Sequence, residues 1–240
     1  MDSPVDYVFR NTAIFIGYHC DCRFYYEAVF ILLETLLNVE GLTGGWSDRE
    51  LFENLSFKVD CSDILQVEGP NGSGKTTLLR ILAMLSNRYR GDIFFGGHNI
   101  RQHRQLYQQN MVFMGHAAGN QAVLSPMENL RWYFSSREDF TDQQLMQALD
   151  EVGLYGFEDS SCHSLSAGQQ RRVSLARLHL SSSPLWILDE PFTAIDKQGV
   201  AELETFIANH SEQGGAVILT THHKLTIPAE VKKLQLGSWT

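Results

Sequence analysis

A glycine-rich segment at residues 69–76 has the residue types and the spacing of a loop that binds phosphate groups. Glycines let consecutive backbone N–H groups face phosphate oxygens, and a helix that begins at the end of the loop adds its positive N-terminal end. The lysine would reach the outer phosphates of a nucleoside triphosphate, and the next hydroxyl would bind Mg²⁺. A chance glycine turn is the alternative, and the strand and helix patterns on either side disfavour it. The predicted nucleotide-binding residues are Gly69, Pro70, Asn71, Gly72, Ser73, Gly74, Lys75, Thr76 and Thr77.

Two adjacent carboxylates, Asp189 and Glu190, follow the apolar run Leu185–Leu188. Such a run predicts a buried strand, and ligands bind at the carboxyl edge of a parallel sheet. Alone, two acids here would more often be a solvated strand end. Because the chain also has a phosphate loop, we expect Asp189 to hold Mg²⁺ together with Thr76, and Glu190 to act as general base on the attacking water.

A third motif, Leu-Ser-Ala-Gly-Gln, lies about twenty residues before that strand and opens the predicted helix Gln170–His179. A serine hydroxyl and a glycine amide at a helix N-terminus can bind an anion. By itself the motif would be interpreted as an ordinary helix cap. Its residues are Leu165, Ser166, Ala167, Gly168 and Gln169.

The spacing of apolar residues predicts the elements that position these motifs. The predicted strands are Leu55–Val59, Ile64–Glu68, Leu185–Leu188 and Ala216–Thr220, and the predicted helices include Lys75 to about Ser86, Gln143–Val152 and Gly199–His210. Strand, glycine loop and helix are contiguous at the phosphate loop. The fold class is therefore α/β with a mostly parallel core sheet, interrupted by a helical insertion at about residues 101–180.

Together the motifs resemble those of ABC ATPases, whose signature is usually written LSGGQ and here has Ala167 in place of the first glycine. The resemblance extends over nearly all of residues 38–240. It implies a P-loop NTPase fold with an antiparallel β subdomain and a helical subdomain, and it implies ATP and Mg²⁺ as cofactors. In that family the signature binds the γ-phosphate of ATP held on the opposite subunit. A homodimer with two shared sites is therefore expected.

The resemblance assigns roles at three further positions. Asp196 would belong to the D-loop, and His222, after the last core strand, would be the histidine that senses the γ-phosphate. His223 is the less favoured choice for that role. His116 stands where relatives carry the Q-loop glutamine, and an imidazole can also accept from a metal-bound water.

A side chain that stacks on adenine is expected shortly before the first long strand. Trp46 is the best placed residue and Arg49 the second, because an aromatic ring or a guanidinium can lie flat on a base. Trp46 as ordinary surface packing is the open alternative.

Within the family, residues 165–178 and the segments Met114–His116 and Thr220–His222 resemble the ATP-binding exporters of cytochrome c biogenesis. The resemblance implies integral membrane partners of the CcmB-like and CcmC-like kinds, and hydrolysis that drives release of a haem-loaded periplasmic chaperone. It places the chain on the cytoplasmic side of the inner membrane as a peripheral subunit. No Cys-x-x-Cys-His motif occurs in the sequence, and we expect no direct contact with haem.

Three other functions are left open. The ATPase of a lipid or drug exporter would carry the same motifs, because cargo is recognised by membrane subunits. A soluble ABC ATPase acting on DNA or ribosomes is disfavoured, since the chain lacks a second cassette and sustained heptads. A nucleotide-binding module without hydrolysis is disfavoured by Glu190.

Bulk properties narrow the class of partner. A formal net charge of -9 and a pI near 5.4 disfavour nucleic acid as a partner.

The longest apolar run, Ala28–Leu37, is about half the length that crosses a bilayer, and no secretory signal frames it, so we expect a cytoplasmic location. The cysteine spacing gives weak evidence for a metal site. Residues 1–37 are interpreted as an N-terminal extension before the ATP-binding domain at 38–240.

Overall fold

The structure, a computed structural model, describes residues 35–46, 49–135 and 139–237 of the chain. The predicted extension therefore lies almost entirely outside the described residues and stays a prediction. The side chain of Trp46 also lies outside them, although its backbone ends a strand.

Strands and helices alternate along the described part of the chain. The strands are β1 (Thr35–Trp46), β2 (Arg49–Asp60), β3 (Ile64–Glu68), β4 (Tyr89–Phe95), β5 (His98–Asn99), β6 (Met111–Met114), β7 (Leu185–Asp189), β8 (Ala216–Thr220) and β9 (Val231–Gln235). The helices are α1 (Lys75–Leu82), α2 (Arg104–Gln109), α3 (Pro126–Phe134), α4 (Asp142–Glu151), α5 (Ala167–Leu180) and α6 (Lys197–Glu212). A short 3-10 helix, Cys162–Ser164, precedes α5.

The strands form two sheets. One is antiparallel with the order β2-β1-β4-β5, and the other is parallel with the order β6-β7-β8-β3-β9. In the parallel sheet Asp189 pairs with Thr220, and β3 lies on the other side of β8. The carboxyl ends of β3, β7 and β8 therefore meet at one edge, which is where ligands bind in such sheets. The predicted combination of a parallel core sheet, an antiparallel sheet and helices is confirmed.

The side chains of β7 alternate between two hydrophobic cores. Trp186 and Leu188 pack in the core that contains residues of α3, α4, α5 and α6, whereas Leu185 and Ile187 pack in the core that contains residues of α1 and the antiparallel sheet. All residues of β7 and β8 are buried, as expected for strands covered on both faces. The edge that carries Asp189 is thus held by packing on two sides.

Helix α1 is shorter than the pattern Lys75 to about Ser86 predicts, because it ends at Leu82. Met84 adopts a left-handed conformation with φ of 56°, and such a residue ends a helix. The hydroxyl of Tyr107 donates to the carbonyl of Leu82 at 2.7 Å, which satisfies one of the free carbonyls of the last turn. Among the helices of the described residues, none has the length and apolar character needed to cross a bilayer.

Candidate functional site

The glycine loop at residues 69–76 joins the end of β3 to the start of α1. Gly74 precedes the helix with φ of 100°, a conformation that strains other residue types. The ammonium group of Lys75 donates to the carbonyl oxygens of Gly69 at 2.7 Å and Pro70 at 3.2 Å. The positive charge thus lies against the loop that is expected to receive phosphates.

A buried hydroxyl of the loop fits a phosphate ligand. Ser73 Oγ is shielded from solvent and has no hydrogen-bond partner among the described residues. Leaving a buried donor unpaired costs about 1–3 kcal/mol, which an acceptor oxygen would recover. Together with the first-turn amides of α1 and the ammonium of Lys75, this hydroxyl provides donors for an anion.

Asp189 joins the phosphate loop to the parallel sheet. Its carboxylate is buried, and its Oδ1 accepts from the hydroxyls of Thr220 at 2.7 Å and Thr76 at 3.3 Å. Mg²⁺ prefers oxygen ligands and usually keeps several waters beside one or two protein groups. Thr76 and Asp189 therefore fit the metal site expected from the sequence.

Glu190 lies beside His222 and has a left-handed backbone with φ of 51°. This conformation costs a non-glycine residue on the order of 1–3 kcal/mol, so it needs support from its surroundings. Thr220 supplies part of that support, because the N–H of Glu190 lies 3.1 Å from its carbonyl oxygen and 3.0 Å from its hydroxyl oxygen.

The side chains of Glu190 and His222 face each other at the carboxyl end of the sheet. The backbone N–H of His222 donates to Glu190 Oε2 at 3.2 Å, and the ring Nε2 lies 3.5 Å from Oε1. The carboxylate is 17% exposed and the imidazole 68% exposed. A carboxylate can accept a proton from water here, while the exposed ring can donate to a bound phosphate.

His223 has a different environment from His222. Its Nε2 lies 3.2 Å from Glu204, a buried carboxylate on α6 that also accepts from the N–H of Thr226 at 2.8 Å. These hydrogen bonds, together with one from the Thr226 hydroxyl, hold the pKa of Glu204 below its usual value although burial alone would raise it. His223 therefore anchors the loop after β8, and His222 is the histidine beside Glu190.

The turn before α5 is exposed and ends in a capping box. Ser166 accepts from the N–H of Gln169 at 3.2 Å, and the side chain of Gln169 accepts from the N–H of Ser166 at 2.9 Å. Ala167 is the first residue of the helix, while Leu165 is buried and anchors the turn. The cap leaves the exposed hydroxyl of Ser166 at the positive end of the helix.

The comparisons with known proteins identify the family. The family model described as ABC transporter matches residues 52–193, a range that contains the phosphate loop, the turn before α5 and both carboxylates. This chain belongs to the ABC transporter family.

Curated members of the family are similar over most of the chain. The cytochrome c biogenesis ATP-binding export protein CcmA of Hahella chejuensis is 52% identical over 203 residues, which cover 85% of this chain and 96% of that protein. The CcmA protein of Pseudomonas putida, strain KT2440, is 51% identical over 204 residues, which cover 85% of this chain and 97% of that protein.

Solved structures of ABC proteins share the fold. An ATP-binding subunit of an ABC transporter superimposes with a TM-score of 0.75 at 24% identity, covering 84% of this chain and 86% of that one. A dimeric bacterial ABC transporter cassette gives a TM-score of 0.74 at 19% identity, covering 84% and 94%. At these identities the likeness shows the ABC fold, which the sequence predicts.

The segment Ala194–Asp196, which contains the predicted D-loop residue, contacts the start of α5. A Cβ added to Gly168 would lie 2.8 Å from the carbonyl oxygen of Ala194, which has a left-handed φ of 64°. Asp196 begins α6 by accepting from the N–H of Gly199 at 3.3 Å, and it forms an ion pair of 2.7 Å with Arg172 of α5. The amide hydrogen bond and the ion pair lower the pKa of Asp196. Helix α5 and the segment before α6 are therefore directly connected.

Arg171 is a residue of the site that the sequence reasoning missed. It is buried on α5, and its guanidinium donates to backbone carbonyls of the two segments that follow β6 and β7. Burial lowers the pKa of Arg171, and the charges of Asp189 and Glu190 oppose this shift. Guanidinium groups remain cationic in proteins at neutral pH. The sequence could at most indicate that Arg171 lies on the buried face of α5, and such a position predicts burial without a role at the site.

Three predicted residues have less structural support. His116 is exposed after β6, and its carbonyl accepts from Arg171 at 3.3 Å. Its proposed Q-loop role stays a prediction. Arg49 is exposed at the start of β2, and the side chain of Trp46 lies outside the described residues, so the adenine contact stays a prediction as well.

Proposed function

We propose that this chain is the ATP-hydrolysing subunit of the ABC export system for cytochrome c biogenesis. The observation that carries the proposal is the meeting of Lys75, Asp189 and Glu190 around the carboxyl edge of one sheet. Identity of about half to CcmA proteins, along nearly their whole length, supports the assignment to this export system. The reaction is the conversion of ATP and water to ADP and phosphate.

The proposed mechanism uses three parts of the described site. The loop at residues 69–76 binds the phosphates of ATP, with Lys75 at the outer phosphates. Thr76 and Asp189 would hold Mg²⁺, which would supply positive charge against the negative charge that develops on the phosphates. Glu190 accepts the proton of the attacking water, and His222 donates a hydrogen bond to the γ-phosphate.

The signature turn is proposed to complete the site of a second copy. None of the hydrogen bonds in the described part of the chain joins Ser166 or Gly168 to the phosphate loop, and Ser166 is exposed. A helix N-terminus with an available hydroxyl suits the γ-phosphate of an ATP bound elsewhere. A dimeric cassette of the same fold supports a two-fold arrangement.

The membrane partners are proposed to be CcmB-like and CcmC-like subunits. The names of the related proteins support this assignment, because they describe export in cytochrome c biogenesis. This chain would then act at the cytoplasmic side of the inner membrane as a peripheral subunit. ATP hydrolysis would release a haem-loaded periplasmic chaperone, and haem would contact the membrane subunits alone.

Two substitutions test the enzymatic part. Lys75→Ala should abolish ATP binding and phosphate release, whereas Glu190→Gln should retain ATP and lose turnover. Lys58→Ala is the matched control, because Lys58 is an exposed lysine on β2. Normal phosphate release by either site variant would refute the role assigned to that residue.

A pull-down tests the transport assignment. The tagged Glu190→Gln chain is incubated with ATP and captured from detergent-solubilised membranes of its native cell. Recovery of haem-pathway membrane subunits by mass spectrometry supports the proposal. Recovery of the subunits of a lipid or drug exporter instead contradicts it while leaving the ATPase assignment intact.

A further inference from the structure

The guanidinium of Arg171 binds five backbone carbonyl oxygens at the catalytic edge. Nη2 donates to Glu190 at 2.7 Å and Asp189 at 3.2 Å. Nη1 donates to Gly115 at 2.8 Å and His116 at 3.3 Å, and Nε donates to Pro191 at 3.3 Å. The side chain is buried, and each of its three nitrogens donates at least one hydrogen bond.

These contacts complete the support of the strained backbone at Glu190. Thr220 accepts the N–H of this residue, and Arg171 binds its carbonyl oxygen, so both peptide groups that flank its Cα are held. The left-handed φ of 51° is what directs the carboxylate to the side of His222. An ordinary right-handed backbone would direct the side chain elsewhere.

The chemistry of the side chain explains why an arginine fits here. Its planar fork presents five N–H donors in fixed directions, so it can bind carbonyls of separate segments at once. A lysine offers donors from a single nitrogen, and an apolar residue offers none.

We infer that Arg171 is a positioning residue for hydrolysis: it holds the backbone of Glu190 so that the carboxylate meets the attacking water. The inference rests on the proposed role of Glu190 as general base. Arg171 itself touches neither nucleotide nor water in this account. Because α5 begins at the signature turn, one helix both receives the phosphate of the partner's ATP and sets the geometry of the base.

Substitution of Arg171 should separate turnover from nucleotide binding. In the full-length chain, Arg171→Met should lower kcat for ATP hydrolysis by at least about tenfold, since a misplaced base loses much of its effect. The KM for ATP should change by less than about threefold, because the phosphate loop is untouched. Arg171→Lys should have an intermediate kcat, because it restores charge and part of the hydrogen bonding.

Dimerisation provides a readout that distinguishes positioning of the base from general support of the fold. In the Glu190→Gln background, Arg171→Met should still form the ATP-dependent dimer measured by sedimentation. Arg177→Met is the matched control, because Arg177 is a buried arginine of the same helix that binds Asn120 at 2.7 Å and Gly119 at 3.3 Å. Arg177→Met should lower the stability of the fold, but it should not lower kcat as much as Arg171→Met does.

The outcomes distinguish the inference from the proposed function. A wild-type kcat in folded Arg171→Met, with Glu190→Gln inactive, overturns the inference alone. Full activity of Glu190→Gln overturns the proposed base. Parallel loss of kcat, ATP binding and dimerisation shows that Arg171 is structural and also overturns the inference. If Arg171→Met does not fold, an unchanged kcat in Arg171→Lys overturns the inference as well.

Discussion

His210, a partly buried histidine on α6, should make the fold sensitive to acid. The ring of His210 stacks on Trp186 with a centroid distance of 3.7 Å and an interplanar angle of 6°, and its Nε2 has no hydrogen-bond partner among the described residues. Burial lowers the pKa of His210 from 6.5 to about 4, while a hydrogen bond to the Pro184 backbone opposes the shift. The folded chain therefore keeps this ring neutral where the unfolded chain protonates it.

The direction and size of the effect follow from proton linkage. The pKa of His210 is lower in the folded chain than in the unfolded chain. The neutral ring therefore makes its full contribution to stability above the unfolded pKa, and this contribution is lost as the pH falls from 6.5 to about 4. For one site this amounts to about 2 kcal/mol of unfolding free energy between about pH 7 and about pH 5. That is a large share of the stability of an ordinary domain.

The perturbation is His210→Phe, which keeps an aromatic ring on Trp186 and removes the titration. Urea unfolding, followed by circular dichroism, is measured for both chains at about pH 8, pH 7 and pH 5. At about pH 8 the histidine ring is neutral in both the folded and the unfolded state. The difference in unfolding free energy between the two chains at this pH therefore reports packing alone. Between about pH 7 and about pH 5, the unfolding free energy of the variant should fall by about 2 kcal/mol less than that of the wild type. Equal losses in the two chains would refute the reasoning.

Three further predictions concern the site. Gly168→Ala should reduce ATP hydrolysis, measured as phosphate release, at least about tenfold, since its Cβ would lie 2.8 Å from the carbonyl oxygen of Ala194. Normal phosphate release would contradict a need for this close contact. Ser166→Ala should lower the unfolding free energy by about 1 kcal/mol, as should Thr141→Ala at the equivalent cap of α4, but only the former should reduce hydrolysis. Thr220→Val removes the hydroxyl that donates to Asp189 at 2.7 Å, so a higher Mg²⁺ concentration should be needed for half-maximal hydrolysis. An unchanged Mg²⁺ titration would contradict this role of Thr220.

Much of the parallel sheet could be predicted because its signals are local. Ile64–Glu68 and Ala216–Thr220 are short apolar runs, and the structure has strands with the same bounds. The glycine loop between β3 and α1 needs special backbone conformations that leave a sequence signature. The motifs that follow buried strands could therefore be placed on one edge from the sequence alone.

Other features depend on contacts between distant segments. Strand β1 contains three glycines and alternates apolar and polar residues over only part of its length. Its pairing with β2 and β4 is also interrupted by register shifts, so periodicity does not reveal the whole strand. The role inferred for Arg171 depends on five carbonyls contributed by two segments distant from it in sequence, at the ends of β6 and β7. A helical pattern shows that such a side chain is buried, but it does not show what the side chain binds.

The most direct test of the account is ATP-dependent self-association of the Glu190→Gln chain. Sedimentation is measured with ATP and Mg²⁺, for Glu190→Gln and for the same chain with Ser166→Asp added. An aspartate keeps the helix cap but places a negative charge where the partner's phosphate should bind. We expect a dimer for the first chain and a monomer for the second. A chain that stays monomeric with ATP, or a dimer that tolerates Ser166→Asp, would contradict the shared site.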